Sequence, residues 1–301
     1  MITICLTRFT DGPYVHVLMD AFYKALSAYK SKFKIYKQFG YPKVKYDLIV
    51  LIGIRSIVKR NLNPELILPF CNKLIDMGDS SMDPRRNYED LYFYFNPSSK
   101  KKYKHYIYLP KFLFKDYLFP EQKKETGLTV FVDHFKFQNP NEKVQSIQAI
   151  EKIFESLRST NYVTKVFYHT SKGIEINRFY PEIPTCDKSQ CALYLPYHEI
   201  TKYYRQTDIF FPTHRETQGM VAQEIGACGG ITVLQPWMYP KSTHHQFPHI
   251  YYDEKKGIDF ELVKNIFEKD THLERSKKTL YISSFKKFQQ VLYASIISLF
   301  E

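Results

Sequence analysis

Asp208–Leu234 reads DIFFPTHRETQGMVAQEIGACGGITVL. Asp208–Phe211 is apolar and aromatic after its first residue, as expected of a strand buried on both faces. A polar loop follows over Thr213–Gln218, and then a helix starting near Gly219 and running to Cys228. Gly229–Gly230 is a helix stop signal, and Ile231–Leu234 is the next strand. Strand, loop, helix, strand is the repeating unit of a parallel sheet. Gly219 allows a ligand close to the backbone, and free N–H groups at a helix start favour an anion or a sugar oxygen. Glu216 and Glu224 stand eight residues apart, roughly two helical turns. Two carboxylates so placed can address opposite ends of one elongated ligand.

The same alternation extends outward. Upstream, strands are expected at Ile2–Thr7, Phe33–Gln38, Asp47–Ile54, Leu74–Ile75, Leu91–Phe95 and Tyr106–Leu109. A helix over Val15–Tyr29 places Val15, Met19, Phe22 and Leu26 on one face. The chain turns polar at Glu121–Gly127 and restarts with strand Leu128–Asp133, a long amphipathic helix Glu142–Ser159 and strand Lys165–His169. Ala192–Leu195 and His249–Tyr252 are further strand candidates, and Glu199–Arg205 a short helix. The last helix, Ser283–Phe300, carries Phe285, Phe288, Leu292, Ile296 and Leu299 at three- and four-residue steps. It reads as a core-packing helix rather than a membrane-surface one. Two doubly wound halves follow, 1–125 and 126–301, with the last helix free to pack back on the first half.

Among 301 residues there is no apolar run of 18, so no spanning helix is expected. MITICLTRFTDG lacks the basic start of a secretory signal. Five scattered cysteines, without a second Cys or His pair at finger spacing, favour reduced thiols and no zinc site. A cytoplasmic location is expected, with a peripheral membrane face as the alternative. Residues 1–125 carry 22 Lys and Arg against 12 Asp and Glu, a net of +10 out of the chain's +12. Such asymmetry points to an anionic partner at the first half: a glycan, a membrane face or DNA.

FPTHRETQGMVAQEIGACGG resembles the E-x7-E segment of group-1 glycosyltransferases, nucleotide-sugar enzymes of α/β class. Those enzymes have the GT-B architecture, two Rossmann-like domains with an intervening cleft. The resemblance implies that Glu216, Thr217, Gln218 and Gly219 face the donor sugar and that Glu224 holds the ribose hydroxyls. Ile225 and Gly226 depart from the pattern, which has Ala and a larger residue there. The resemblance extends to the N-terminal TDGPYVHVL, where it implies that Gly12 lies near the donor and that His16 and Asp11 are candidates for catalysis. His16 has a packing role as its equal alternative, and Asp11 a helix-capping one. The Arg and Lys that hold pyrophosphate in such enzymes would lie in VFVDHFKFQNPNEK, where His134 stands near the expected Arg and Lys136 or Lys143 could be the Lys. Arg215 is a further cation.

The resemblance therefore implies a metal-independent glycosyltransferase needing no cofactor, with a UDP-sugar as the expected donor. Transfer to a glycan hydroxyl with retention is the leading reading. Modification of a hydroxylated DNA base is one alternative, and a non-catalytic sugar-nucleotide or glycan-binding module is another. An inverting enzyme would need a general base, for which Asp11, His16 and Asp79 are available. No phosphate-binding GxxxxGK[ST], no GxSxG and no HExxH motif is present. The adjacent pair His244–His245 lacks helical metal spacing.

Overall fold

Of the apolar run expected over Asp47–Ile54, residues 47–52 lie in an inner strand of a sheet in a computed structural model of the chain. The structure describes residues 1–9, 13–53, 62–77, 91–94, 106–109, 112–113, 116–121, 127–132, 155, 163–170, 173–177, 195–212, 220–234, 239, 244, 246–252, 257–282 and 284–301. Two compact units result: Met1–Phe112 together with Ser284–Glu301, and Leu113–Ser283.

The first unit holds strands β1 (Ile2–Arg8), β2 (Phe33–Phe39), β3 (Tyr46–Ile52), β4 (Cys71–Met77), β5 (Leu91–Tyr94) and β6 (Tyr106–Tyr108). Their order is β2-β1-β3-β4-β5-β6, every pairing parallel. Leu48–Ile52 have no exposed surface, which explains their unbroken apolarity. Helix α1 (Pro13–Ser27) packs on β1, β2 and β3 and buries Val15, Met19, Phe22 and Leu26, the face read from the sequence. On the other face Cys5, Tyr46, Ile49, Leu51 and Leu74 gather with Ile67. Asp47 fastens β3 to β1 by accepting from the Thr3 N–H at 2.8 Å and its hydroxyl at 2.6 Å.

The second unit holds β7 (Leu128–Val132), β8 (Val163–Thr170), β9 (Gly173–Asn177), β10 (Ile209–Phe211), β11 (Ile231–Leu234) and β12 (His249–Tyr251). The order is β12-β11-β10-β7-β8-β9, with only β9 antiparallel among these strands. In chain order this is the Rossmann sequence 3-2-1-4-5-6. Alternate residues divide between two cores. Val130, Val132, Ile209, Phe211, Ile231 and Val233 face Val263 of helix α4 (Phe260–Lys269). Phe131, Phe210 and Leu234 face Tyr204 of helix α2 (Tyr197–Gln206) and Ala222 and Ile225 of helix α3 (Met220–Ala227). Helix α5 (His272–Ile282) packs on α3.

Helix α6 (Phe285–Ile297) belongs to the first unit. Phe288 meets Phe22 edge-on at 5.4 Å, Tyr293 stacks on Tyr29 at 4.1 Å, and Gln289 donates to the Ala25 carbonyl at 3.1 Å. The division falls at Phe112/Leu113, thirteen residues before the polar joint expected at 125/126. The reason is packing: Leu113 and Leu118 are buried in the α2–α3 core of the second unit, and Arg205 bonds Glu121. The expected helix Glu142–Ser159 and most of strand Ala192–Leu195 lie outside the described residues, apart from a helical Glu155 and Leu195.

Candidate functional site

In sheets of this order a ligand binds outside the carboxyl ends of the strands, where successive connections leave in opposite directions. That point lies between β7 and β10, because the chain proceeds from β7 to β8 on one side and from β10 to β11 on the other. Pro212, just beyond Phe211, is buried, and α3 starts at Met220. Both expected donor-binding stretches, 133–143 and 213–219, therefore leave from adjacent strand ends. Lys136, Lys143, Arg215, Glu216, Thr217, Gln218 and Gly219 themselves lie outside the described residues, as do Asp11, Gly12, Asp79 and His134.

Helix α3 has six of its eight residues buried, Ala222 to Ala227. Gly226 is a packing glycine: a Cβ there would come within 2.9 Å of Pro248 and 3.2 Å of the Thr279 hydroxyl. This accounts for the absence of a larger residue at that position. The helix ends in a Schellman motif, with Gly230 N–H donating to the Ile225 carbonyl and Gly229 N–H to Gly226, both at 3.0 Å. Gly229 has φ +91°, and a Cβ on it would lie 2.6 Å from the His272 carbonyl oxygen.

Glu224 occupies the fifth position of α3 and is 6% exposed. A carboxylate so buried must be hydrogen-bonded. Tyr197, at the first turn of α2, donates its hydroxyl to Glu224 Oε1 at 2.9 Å. Burial and the neighbouring Glu224 charge push the Tyr197 phenol well above its ordinary range, so it remains a donor. The Cys228 thiol is also raised, first by burial and then by Glu224. Around this pair, Tyr117 meets Tyr197 edge-on at 5.7 Å, and Arg205 bonds Glu121 while its guanidinium covers Phe119 at 4.8 Å. One residue before Glu224, Gln223 donates to Gln246 at 2.6 Å, both side chains buried. Tyr197 had no signal in the sequence, since its partner is 27 residues away and nothing in the spacing links them.

Below the strand ends, Asp208 is 1% exposed and accepts from the Thr129 N–H at 2.7 Å and from His272 Nε2 at 3.0 Å. It fixes β7, β10 and α5 together. His244 is buried, its Nε2 donating to the Tyr239 carbonyl at 3.0 Å, so its Nδ1 accepts from the Tyr251 hydroxyl at 2.9 Å. Both ring nitrogens are committed to structure, and His245 lies outside the described residues. Among the described residues no group of His, Cys, Asp and Glu could hold a metal ion.

His16 lies in the first unit, exposed, near the start of α1 and so at the carboxyl end of β1. Its Nε2 accepts from Arg8 Nη1 at 3.0 Å. The bond holds the imidazole beside the Arg8 guanidinium.

No family model matches the chain, and no curated protein matches its sequence. Solved structures do match. The lipopolysaccharide outer core galactosyltransferase WaaB aligns over 99% of this chain and 100% of its own, at 10% identity and a TM-score of 0.54. The fold is GT-B. An α-glucosyltransferase in complex with UDP and a 13-mer DNA aligns over 99% of both chains, at 10% identity and a TM-score of 0.54. The UDP-GlcNAc 2-epimerase of Neisseria meningitidis, bound to UDP-GlcNAc, aligns over 99% of this chain and 100% of its own, at 7% identity and a TM-score of 0.52. At these identities the likeness is one of fold.

Proposed function

We propose that the chain is a glycosyltransferase that moves a sugar from a UDP-sugar to an acceptor hydroxyl, with retention and without a metal. The observation that carries this reading is Glu224: a buried carboxylate on the helix entered from the switch point, oriented by Tyr197. A ribose diol asks for such a group, because a carboxylate can accept hydrogen bonds from two vicinal hydroxyls. Glu216 would meet the transferred sugar, and Thr217, Gln218, Gly219 and Gly12 would bring backbone near the donor. Lys136, Lys143 and Arg215 are the cations available to the diphosphate as negative charge gathers on it. Breaking the anomeric C–O bond passes through an oxocarbenium-like state, and the acceptor oxygen forms the new bond as its proton passes to the departing diphosphate. UDP in the α-glucosyltransferase complex and UDP-GlcNAc in the Neisseria epimerase support a uridine donor on this fold.

The basic first unit supports an anionic acceptor or an acceptor held at an anionic surface, with a glycan as the leading choice and a hydroxylated DNA base as the alternative. A cytoplasmic location fits nucleotide-sugar supply. Among the described residues no helix is long and apolar enough to cross a membrane.

The deciding experiment incubates the protein with UDP-glucose, UDP-galactose and UDP-GlcNAc and follows free UDP and the sugar. Slow release of UDP to water is expected of a transferase without its acceptor. An epimerised sugar still attached to UDP would overturn transfer in favour of epimerisation. Binding without any UDP release would leave a non-catalytic module.

A further inference from the structure

Between Ala21 and Tyr46 the chain carries seven lysines and no carboxylate. All seven, Lys24, Lys30, Lys32, Lys34, Lys37, Lys43 and Lys45, are exposed. They cluster about β2, the edge strand of the first sheet. Lysine on an edge strand has an ordinary use, which is to discourage pairing with another sheet. Guarding does not explain the rings beside them. Tyr23, Tyr36 and Phe39 are 39%, 37% and 58% exposed, and each carries a cation over its face. Lys37 lies 4.6 Å from the centre of Tyr23, Lys34 5.4 Å from Tyr36, and Arg8 5.2 Å from Phe39. Lys37 also bonds Asp20, at 3.1 Å, in the preceding helix.

Because side chains alternate along a strand, Lys37 and Phe39 lie on the α1 face and Lys34 and Tyr36 on the other. The cation–aromatic pairs thus straddle the edge. The row ends at Arg8, which bonds His16 at the carboxyl edge of the sheet. From Phe33 to Phe39 the strand extends about 20 Å, room for a few nucleotides of an unstacked single strand. Flat exposed rings interleaved with cations match an alternation of stackable bases and phosphates. A lipid surface fits worse, because a ring entering hydrocarbon would draw in the ammonium resting on it.

We propose that this edge, Lys34, Tyr36, Lys37 and Phe39 of β2 with Tyr23 and Arg8, is a track for single-stranded nucleic acid. Lysines and Arg8 neutralise phosphates, and the rings receive unstacked bases. Binding stands on this surface alone. That the strand carries the acceptor hydroxyl rests on the glycosyl-transfer reading above.

Fluorescence anisotropy of a labelled oligodeoxythymidine against salt tests it with the full chain. Binding should fall steeply with salt, and Lys34→Gln/Lys37→Gln should weaken it about tenfold at low salt. The same pair should flatten the logarithmic salt slope by about 1.4, from two contacts at roughly 0.7 each. Tyr36→Ala and Phe39→Ala should weaken binding several-fold while leaving that slope unchanged, the mark of lost stacking. Equal affinity of wild type and the lysine pair overturns the track. So does capture by phosphatidylserine-containing vesicles with no retention of the oligonucleotide. UDP-induced thermal stabilisation, measured on the same variants, should persist. Its absence from wild type with oligonucleotide binding intact would count against the glycosyltransferase reading and leave the track standing.

Discussion

Glu224 is the residue whose surroundings say most. Truncation to Ala removes charge-assisted hydrogen bonds and should weaken UDP binding by about 1.5–3 kcal/mol in calorimetry. Unaltered affinity in a folded Glu224→Ala variant would remove it from the donor site. Glu216→Ala should lower kcat while binding of bare UDP stays near wild type; collapse of UDP binding would instead make Glu216 a nucleotide ligand. Cys5 offers a test of a different kind. It has no exposed surface, and burial raises its thiol from 9.0 to about 11. The folded state therefore holds a proton that the unfolded chain releases first. That contribution is complete below the ordinary thiol range and drains away as pH rises from about 9 towards about 11, on the order of 3 kcal/mol in all. Urea melts across that range should show this alkaline loss in wild type and a smaller one in Cys5→Ala.

At the scale of elements, α3 and α5 are joined by small and polar groups. Ser276 donates its hydroxyl to the Ala227 carbonyl, and Arg275 Nε donates to Gly229 at 2.6 Å. Gly226→Ala should cost about 1–3 kcal/mol through overpacking against Pro248 and Thr279. Gly229→Ala should cost more, since it adds a left-handed backbone strain to a clash with backbone that cannot step aside. Chemical denaturation orders the two, and the reverse order would contradict the packing described. The same junction explains what the sequence concealed. Periodicity found the strands and α1 because their buried faces are apolar. The buried face of α5 is Arg275, Ser276 and Thr279, so hydrophobic spacing is silent there. Its true signal was the capping box at Thr271–Glu274, where the Thr271 N–H donates to Glu274 at 2.8 Å and the Glu274 N–H donates back to the Thr271 hydroxyl at 3.2 Å. Helix α4 carries both kinds of signal: the Asp259 cap, which accepts from Leu262 N–H at 2.9 Å, and Val263, Ile266 and Phe267 spaced onto one face. Of the proposed donor site, Glu224 and its helix were legible from the spacing of strand, glycine and stop signal. The partner Tyr197 was not, because tertiary packing alone brings it there.

For the molecule as a whole, the polar composition at 121–127 misplaced the division, since composition reports exposure and not which core a neighbouring leucine enters. The return of α6 to the first unit predicts where its loss is felt. Phe288→Ala removes a fully buried ring that touches Phe22 and Phe112, at an expected cost of about 3–5 kcal/mol. Hydrogen exchange should quicken in β1 and β3 while β10 and β11 keep their protection. Uniform loss across both sheets would mean that the two units do not melt separately.

A chain that leaves one unit at Phe112 and re-enters it at Ser284 also has a history written into its order of synthesis. Phe22 and Phe112 leave the ribosome early, yet the helix that covers them follows only after residues 113–283 have been made. At bacterial and eukaryotic elongation rates that interval is roughly 10–35 s. The second unit is contiguous and can close as it emerges, whereas the first must hold an uncovered aromatic surface until its final helix arrives. Ribosome-stalled chains halted before residue 284 should accordingly recruit chaperones that bind exposed apolar segments, and release them once Phe288 and Leu292 are translated.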